Sequence, residues 1–227
     1  MLTADEWGIV LLSLRVNAVA MLVALPVSFA LAWVLARGRF PGKVVLDAAI
    51  HLPLVLPPVV TGWLLLLAFG TQGPAGKFLA HWFGITLMFR WTGAALASAV
   101  MALPLMVRAM RLSLEGIDHR LEQAARVLGA GPWRAFATVT LPLAMPGVLA
   151  GLVLGFARAL GEFGATITFV ASIPGETQTL PLAVFNALQS PDGAHEVFRL
   201  AVIAVVISLA ALVASELLAR RTGQHAL

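Results

Sequence analysis

No cysteine occurs among the 227 residues, which excludes disulfides, thiol catalysis and Cys-ligated metals and leaves the redox compartment open. Charge is scarce too: 11% of the residues are charged, against roughly 25% in a soluble domain. With 60% hydrophobic residues, the composition argues against a soluble protein. No G-x-x-x-x-G-K-[ST] loop is present, so nothing in the chain can cradle ATP, and any ATP chemistry belongs to another polypeptide. His195-Glu196 lacks the second histidine of H-E-x-x-H, so no metal site and no cofactor are expected. The net charge of +4 does not imply nucleic-acid binding in so apolar a chain; its meaning lies in where the charges sit. No internal repeat or low-complexity run is evident.

What is abundant is apolar length. A crossing needs roughly 20 residues at about 1.5 Å of helix rise each, so the chain could supply at most about eight to ten before loops are subtracted. The pattern predicts five, at about 16–36, 48–70, 91–107, 146–165 and 200–218. Asp5 and Glu6 precede the first run where a cleavable signal would carry positive charge, which predicts a retained first helix. Pro53, Pro57 and Pro58 predict a kinked or partly unwound second span, whose irregular backbone must face protein or water. Pro104 lies inside the third.

Arg37, Arg39 and Lys43, then Arg108, Arg111, Arg120, Arg126 and Arg134, then Arg220 and Arg221 fall on one side of this arrangement. Lys77, Arg90 and Arg199 fall on the other, whose segment after the fourth span also carries Glu176, Asp192 and Glu196. The excess places the N-terminus outside and the C-terminus in the cytoplasm. Residues 180–188 are too few to span and read as a surface or re-entrant helix; a sixth crossing would require that piece, or an amphipathic helix at 7–15.

The largest cytoplasmic segment, about 112–142, reads as helix, turn, helix. Leu121, Ala124, Ala125 and Leu128 recur on one face, and Gly129 stands where a left-handed C-terminal residue belongs. Periodicity alone equally fits an amphipathic surface helix between two spans. In the fourth span Gly147, Gly151 and Gly155 recur every four residues, the pattern of close helix packing, with lining of a path as the other reading. Arg158 lies roughly 18 Å along that helix from Pro146, too deep to face lipid unpaired. Glu162 follows four residues later, so an intrahelical ion pair and a direct role in guiding an anion both stay open. Phe163 and Thr166, beside Gly161 and Gly164, are candidates for a gate. His51 is expected to pack in protein, Trp7, Trp82 and Trp91 to lie in an interfacial belt, and Arg15 and Arg199 to snorkel.

The stretch Glu122-Gln123-Ala124-Ala125, then Gly129, then Val139-Thr140-Leu141-Pro142 resembles the EAA loop of ABC-importer permeases. Gln123 stands at the family's glutamate with Glu122 just before it, and Val139 replaces isoleucine. Phe40-Pro41-Gly42-Lys43, His51 to Pro58, Arg158 to Thr166 (with G-E-F-G-A-T inside it) and Ile173-Pro174-Gly175-Glu176-Thr177 extend the resemblance over nearly the whole chain, toward the molybdate branch rather than the related sulfate permeases. The resemblance implies an all-α integral membrane protein with the type I ABC importer transmembrane domain, in the bacterial inner membrane. It implies a permease subunit that imports molybdate by alternating access and is not itself an enzyme, with tungstate as a further candidate substrate and a sulfate or other oxyanion permease as the alternative. Its partners would be an ABC ATPase dimer (ModC-type), a periplasmic molybdate-binding protein (ModA-type) and a second permease copy. Glu122, Ala124, Ala125 and Gly129 would form the coupling helix that docks on the ATPase. A secondary transporter would show repeat halves and intramembrane ion sites, and an intramembrane hydrolase a nucleophile with its base; neither pattern is found.

Overall fold

A computed structural model describes residues 3–191 and 193–223, and these are helical with no strand among them. Asp192 lies outside the described residues, as do the side chains of Arg220 and Arg221. Helix α1 (Ala4–Arg37) starts at a capping box: the Thr3 N–H donates to Glu6 Oε2 at 2.8 Å and the Glu6 N–H to Thr3 Oγ1 at 3.2 Å. Residues 7–15 continue this helix instead of forming a separate one, so α1 is about 51 Å long, well beyond one bilayer crossing.

The proline-rich second run divides into α2 (Lys43–Val55) and α3 (Pro58–Phe69), bent by 117°. Pro53 stays inside α2, and the break falls at Leu56 and Pro57. Each precedes a proline, whose ring drives the preceding residue out of the α region; their ψ angles are 143° and 134°. A short helix the sequence pattern had not suggested, α4 (Pro74–Phe83), follows, with Phe78, Trp82 and Phe83 exposed.

Helix α5 (Trp91–Glu115) is the core of the bundle, packed between α1 and the later α8 with Met101, Met106, Val107, Met110 and Leu114 fully buried. It continues two turns past the expected end at 107. Then come α6 (His119–Val127) and α7 (Pro132–Ala135), which runs through a π-helical turn, Phe136–Thr140, into α8 (Leu141–Leu160). In that turn the Leu141 N–H donates to Phe136 O, a wider i→i−5 loop just ahead of Pro142, which has no N–H to give. The helix therefore begins well before Pro146 and stops at Gly161, short of Ala165; residues 164–170 form a separate α9 (Gly164–Val170). Two further helices complete the described residues, α10 (Leu180–Leu188) and α11 (Ala194–Gly223).

By length and composition α1, α5, the α7–α8 unit and Ala194–Ala211 of α11 can each cross a membrane, and the bent α2–α3 pair makes five. Helix α10 is buried along Leu180, Leu182, Ala183 and Ala187, held to α1 by the Leu180 N–H donating to Ser13 Oγ at 2.8 Å.

The N-terminal ends of α1 and α11 are tied by Glu6, which is buried and accepts from Arg199 Nε at 2.8 Å. Arg199 is thus ion-paired to Glu6, and the Arg15 guanidinium lies 3.8 Å over the Trp91 ring, so each cation has a partner within the chain. Glu6 lies ahead of the expected span. The Thr3 N–H, and then Arg199, hold its carboxyl below the ordinary carboxylate range against the opposing effect of burial. A depressed carboxyl stabilises the fold above the unfolded-state value, about pH 4.3, and that contribution is lost as pH falls through the lower folded value. Unfolding midpoints in detergent should therefore fall on acidification below about pH 4, with a shallower slope in Glu6→Gln; identical slopes would contradict the tie.

Candidate functional site

Helix α6 stands outside the bundle, with no buried residue. Asp118 caps it, accepting from the Arg120 N–H at 2.9 Å. Val127, Leu128 and Trp133 are 87%, 88% and 83% exposed, while Leu121 and Ala124 are exposed and Ala125 half-buried. Leu121, Val127, Leu128 and Trp133 together present an exposed apolar ridge, a feature that commonly marks an interaction surface. Gly129 adopts φ +91° and the Ala130 N–H returns to Ala125 O at 3.0 Å, closing the helix and turning the chain sharply toward α7. A Cβ at Gly129 would meet nothing within 4 Å, so the glycine is there for its backbone angle alone.

Glu122 points the other way. Its Oε1 accepts from Arg37 Nη2 at 2.8 Å and from Thr140 Oγ1 at 2.5 Å, joining α6 to the end of α1 and to the π turn, and Arg37 also contacts His119. Glu122 thus braces α6 from behind, while Ala124 faces out and Ala125 is half-buried. The tie of Glu122 to Arg37 and Thr140 escaped the sequence reading because contacts across 85 and 18 residues leave no periodic trace.

Along α8 the three glycines face α5. A Cβ at Gly147 would strike Ser113 and come within 3.0 Å of Ala109 O; at Gly151 it would lie 3.2 Å from Met106 O; at Gly155 it would meet Met106 Cγ and Sδ at 2.6 and 2.7 Å. The neighbours decide tolerance: methionine moves, backbone does not. Gly147→Ala should cost about 1–3 kcal/mol and Gly155→Ala clearly less, read as unfolding midpoints in detergent. Equal midpoints would refute the packing role.

The chain bends again at Gly161–Phe163. Glu162, 3% exposed, pairs through Oε2 with Arg158 Nη1 at 2.6 Å, and its Oε1 accepts the Ala165 N–H at 2.7 Å. It therefore neutralises Arg158 and caps α9 at once. Phe163 stacks against Phe185, ring centroids 4.9 Å apart. Thr166 is buried, and its hydroxyl has no hydrogen-bond partner among the described residues; the same holds for Thr61 on α3. These helices touch through Gly62, where a Cβ would lie 2.6 Å from Ala165 O and 2.8 Å from Thr168 Cβ. Two broken helices, α2–α3 and α8–α9, thus meet backbone to backbone. Gly62 is the residue the sequence reading missed, being one glycine in an apolar run.

A second polar region lies between α2 and α5. His51 Nδ1 lies 2.8 Å from Asp47 O, and Arg111 reaches Asp47 Oδ1 at 3.0 Å and Glu115 Oε1 at 2.7 Å. Glu115, and then Asp47, hold the Arg111 guanidinium firmly in its charged form against desolvation.

The model of a family described as "Binding-protein-dependent transport system inner membrane component" matches residues 24–224. The chain belongs to this family. It is an inner-membrane component of a transport system, and the spans inferred from composition are those of a membrane-embedded subunit. It is 56% identical over 225 residues to the molybdenum transport system permease protein ModB of Escherichia coli K12, covering 99% of this chain and 98% of that protein. The corresponding ModB of Haemophilus influenzae is 58% identical over 210 residues, 92% of each chain. A bacterial ABC transporter involved in the import of the acidic polysaccharide alginate matches in structure with a TM-score of 0.75, 16% identity, and coverage of 97% of this chain and 80% of that one, which shows a shared fold.

Proposed function

We propose that this chain is the permease subunit of an ATP-driven molybdate importer, working as a homodimer between a periplasmic binding protein and a cytoplasmic ATPase dimer. The observation that carries the substrate is identity of more than half the residues over nearly the full length of a molybdenum permease. The N-terminus lies outside, so that α6 and its apolar ridge face the cytoplasm, where the excess of arginine belongs. Ala124, Ala125 and Leu128 then seat in a groove of the ATPase. Glu122, held by Arg37 and Thr140, transmits that subunit's closure to α1 and α8. The chain hydrolyses nothing itself.

The contact of α3 with α9 is where the path narrows. Phe163 and Thr166 serve as its gate, and the unpaired hydroxyls of Thr61 and Thr166 acquire partners when the broken helices part. Molybdate, tungstate and sulfate are tetrahedral dianions of similar size, so selectivity among them is set partly by the delivering protein.

Labelled molybdate uptake in cells lacking their own permease tests the reading. Uptake should appear with this chain and an active ATPase, vanish with a catalytically dead ATPase, and be suppressed by tungstate more than by sulfate. Uptake indifferent to the ATPase would refute it; stronger suppression by sulfate would favour a sulfate permease.

A further inference from the structure

The cleft between α2 and α5 encloses about 430 Å³, lined by Asp47, His51, Arg108, Arg111, Leu112 and Glu115. That volume lies within the range of small-ligand sites, about 300–1,000 Å³. Both carboxylates are already engaged by Arg111, and Asp47 Oδ1 also has His51 Nδ1 at 3.3 Å. Arg108, exposed on the same face of α5, makes no hydrogen bond or ion pair among the described residues. Its planar fork of N–H donors is open, and such a fork matches two oxygens of a tetrahedral oxyanion.

We propose that this cleft is a binding site for a tetrahedral oxyanion, with Arg108 as its ligating group. The anion is molybdate leaving the path or the phosphate of a lipid headgroup. The choice of molybdate and the inward position of the cleft rest on the permease reading above. His51 is already engaged through Nδ1, 2.8 Å from Asp47 O, so the ligating role is given to Arg108. Asp47 and Glu115 balance the two guanidiniums, so the cleft holds a dianion loosely. Loose binding is what an exit needs, since an ion held tightly at the last station does not leave. The opposite face of α5 is fixed on α8 by the glycine seam, which keeps Arg108 in place while α2 forms the other wall.

The test is equilibrium dialysis with labelled molybdate at millimolar concentration. It uses the nucleotide-free permease–ATPase complex in phosphatidylcholine nanodiscs, with the signal of the ATPase alone subtracted. Wild type should bind, Arg108→Ala should weaken binding roughly tenfold or more, and Arg108→Lys should restore part of it. Glu115→Gln, which removes a negative charge, should tighten binding. Because the Arg108 side chain has no internal partner, its loss should leave the complex assembled, as size-exclusion chromatography would show. A parallel arm adds phosphatidylglycerol. Arg108-dependent retention of that lipid, with molybdate displaced or never bound, supports the site and gives it to the headgroup. Molybdate binding unchanged in Arg108→Ala, or neither anion held by wild type, overturns the proposal. If ATPase-dependent uptake persists alongside that failure, the site falls and the permease reading stands; if uptake itself is absent, the permease reading falls.

Discussion

Replacing Gly129 with aspartate should abolish ATP-driven uptake while leaving the chain folded and inserted. The two halves of this expectation come from different observations. A side chain at φ +91° costs on the order of 1–2 kcal/mol, and aspartate is among the residues that tolerate the left-handed region best. No atom lies within 4 Å of the added Cβ, so there is no steric cost inside the subunit. The carboxylate would instead stand at the end of the apolar ridge of α6, where docking would bury it unpaired. Burying a charge without a partner costs about 2–4 kcal/mol, enough to reduce productive coupling by roughly thirtyfold to several hundredfold. Gly129→Asn separates the causes, because it makes the same backbone demand without the charge and should keep a measurable fraction of uptake. Normal uptake by Gly129→Asp, with equal amounts of protein in the membrane fraction, would mean that α6 does not dock there.

Glu162→Ala should be the most destabilising single change at the bend between α8 and α9. It strands the Arg158 guanidinium and leaves the Ala165 N–H without its acceptor. Breaking one side of a buried pair costs about 3–5 kcal/mol, the lower end applying here because Arg158 is a quarter exposed. The double variant Arg158→Met with Glu162→Leu should recover much of the unfolding midpoint, since an apolar pair of similar volume replaces an ionic one at little net cost. Uptake by that double variant then decides what the sequence left open. Retained uptake makes the pair purely structural, whereas a stable but inactive permease makes Arg158 part of the anion path. A single-variant midpoint equal to wild type would show that Glu162 neither caps α9 nor holds Arg158.

The apolar runs and the Gly129 turn were legible from residue order, because each is local or cumulative. Hydrocarbon thickness sets a length, and a left-handed angle selects glycine. The break near Pro57 was legible as a weakness in the helix but not as a 117° bend, since prolines remove hydrogen bonds without specifying where the freed chain goes. The same holds at the fourth span: its apolar run continues through Thr166 to Val170, yet Glu162 caps a new helix there and the run divides.

Residue order by itself thus established a multi-helix membrane subunit with an arginine-rich segment between its third and fourth spans. Which groups are bound to which came from the packing of helices far apart in the chain. Glu122 could face a partner protein or Arg37, Arg199 could reach for water or for Glu6, and Gly62 could be any small residue in lipid. Periodicity carries no information about these choices. A buried charge takes the nearest opposite charge the fold supplies, and a glycine matters only where another backbone comes close.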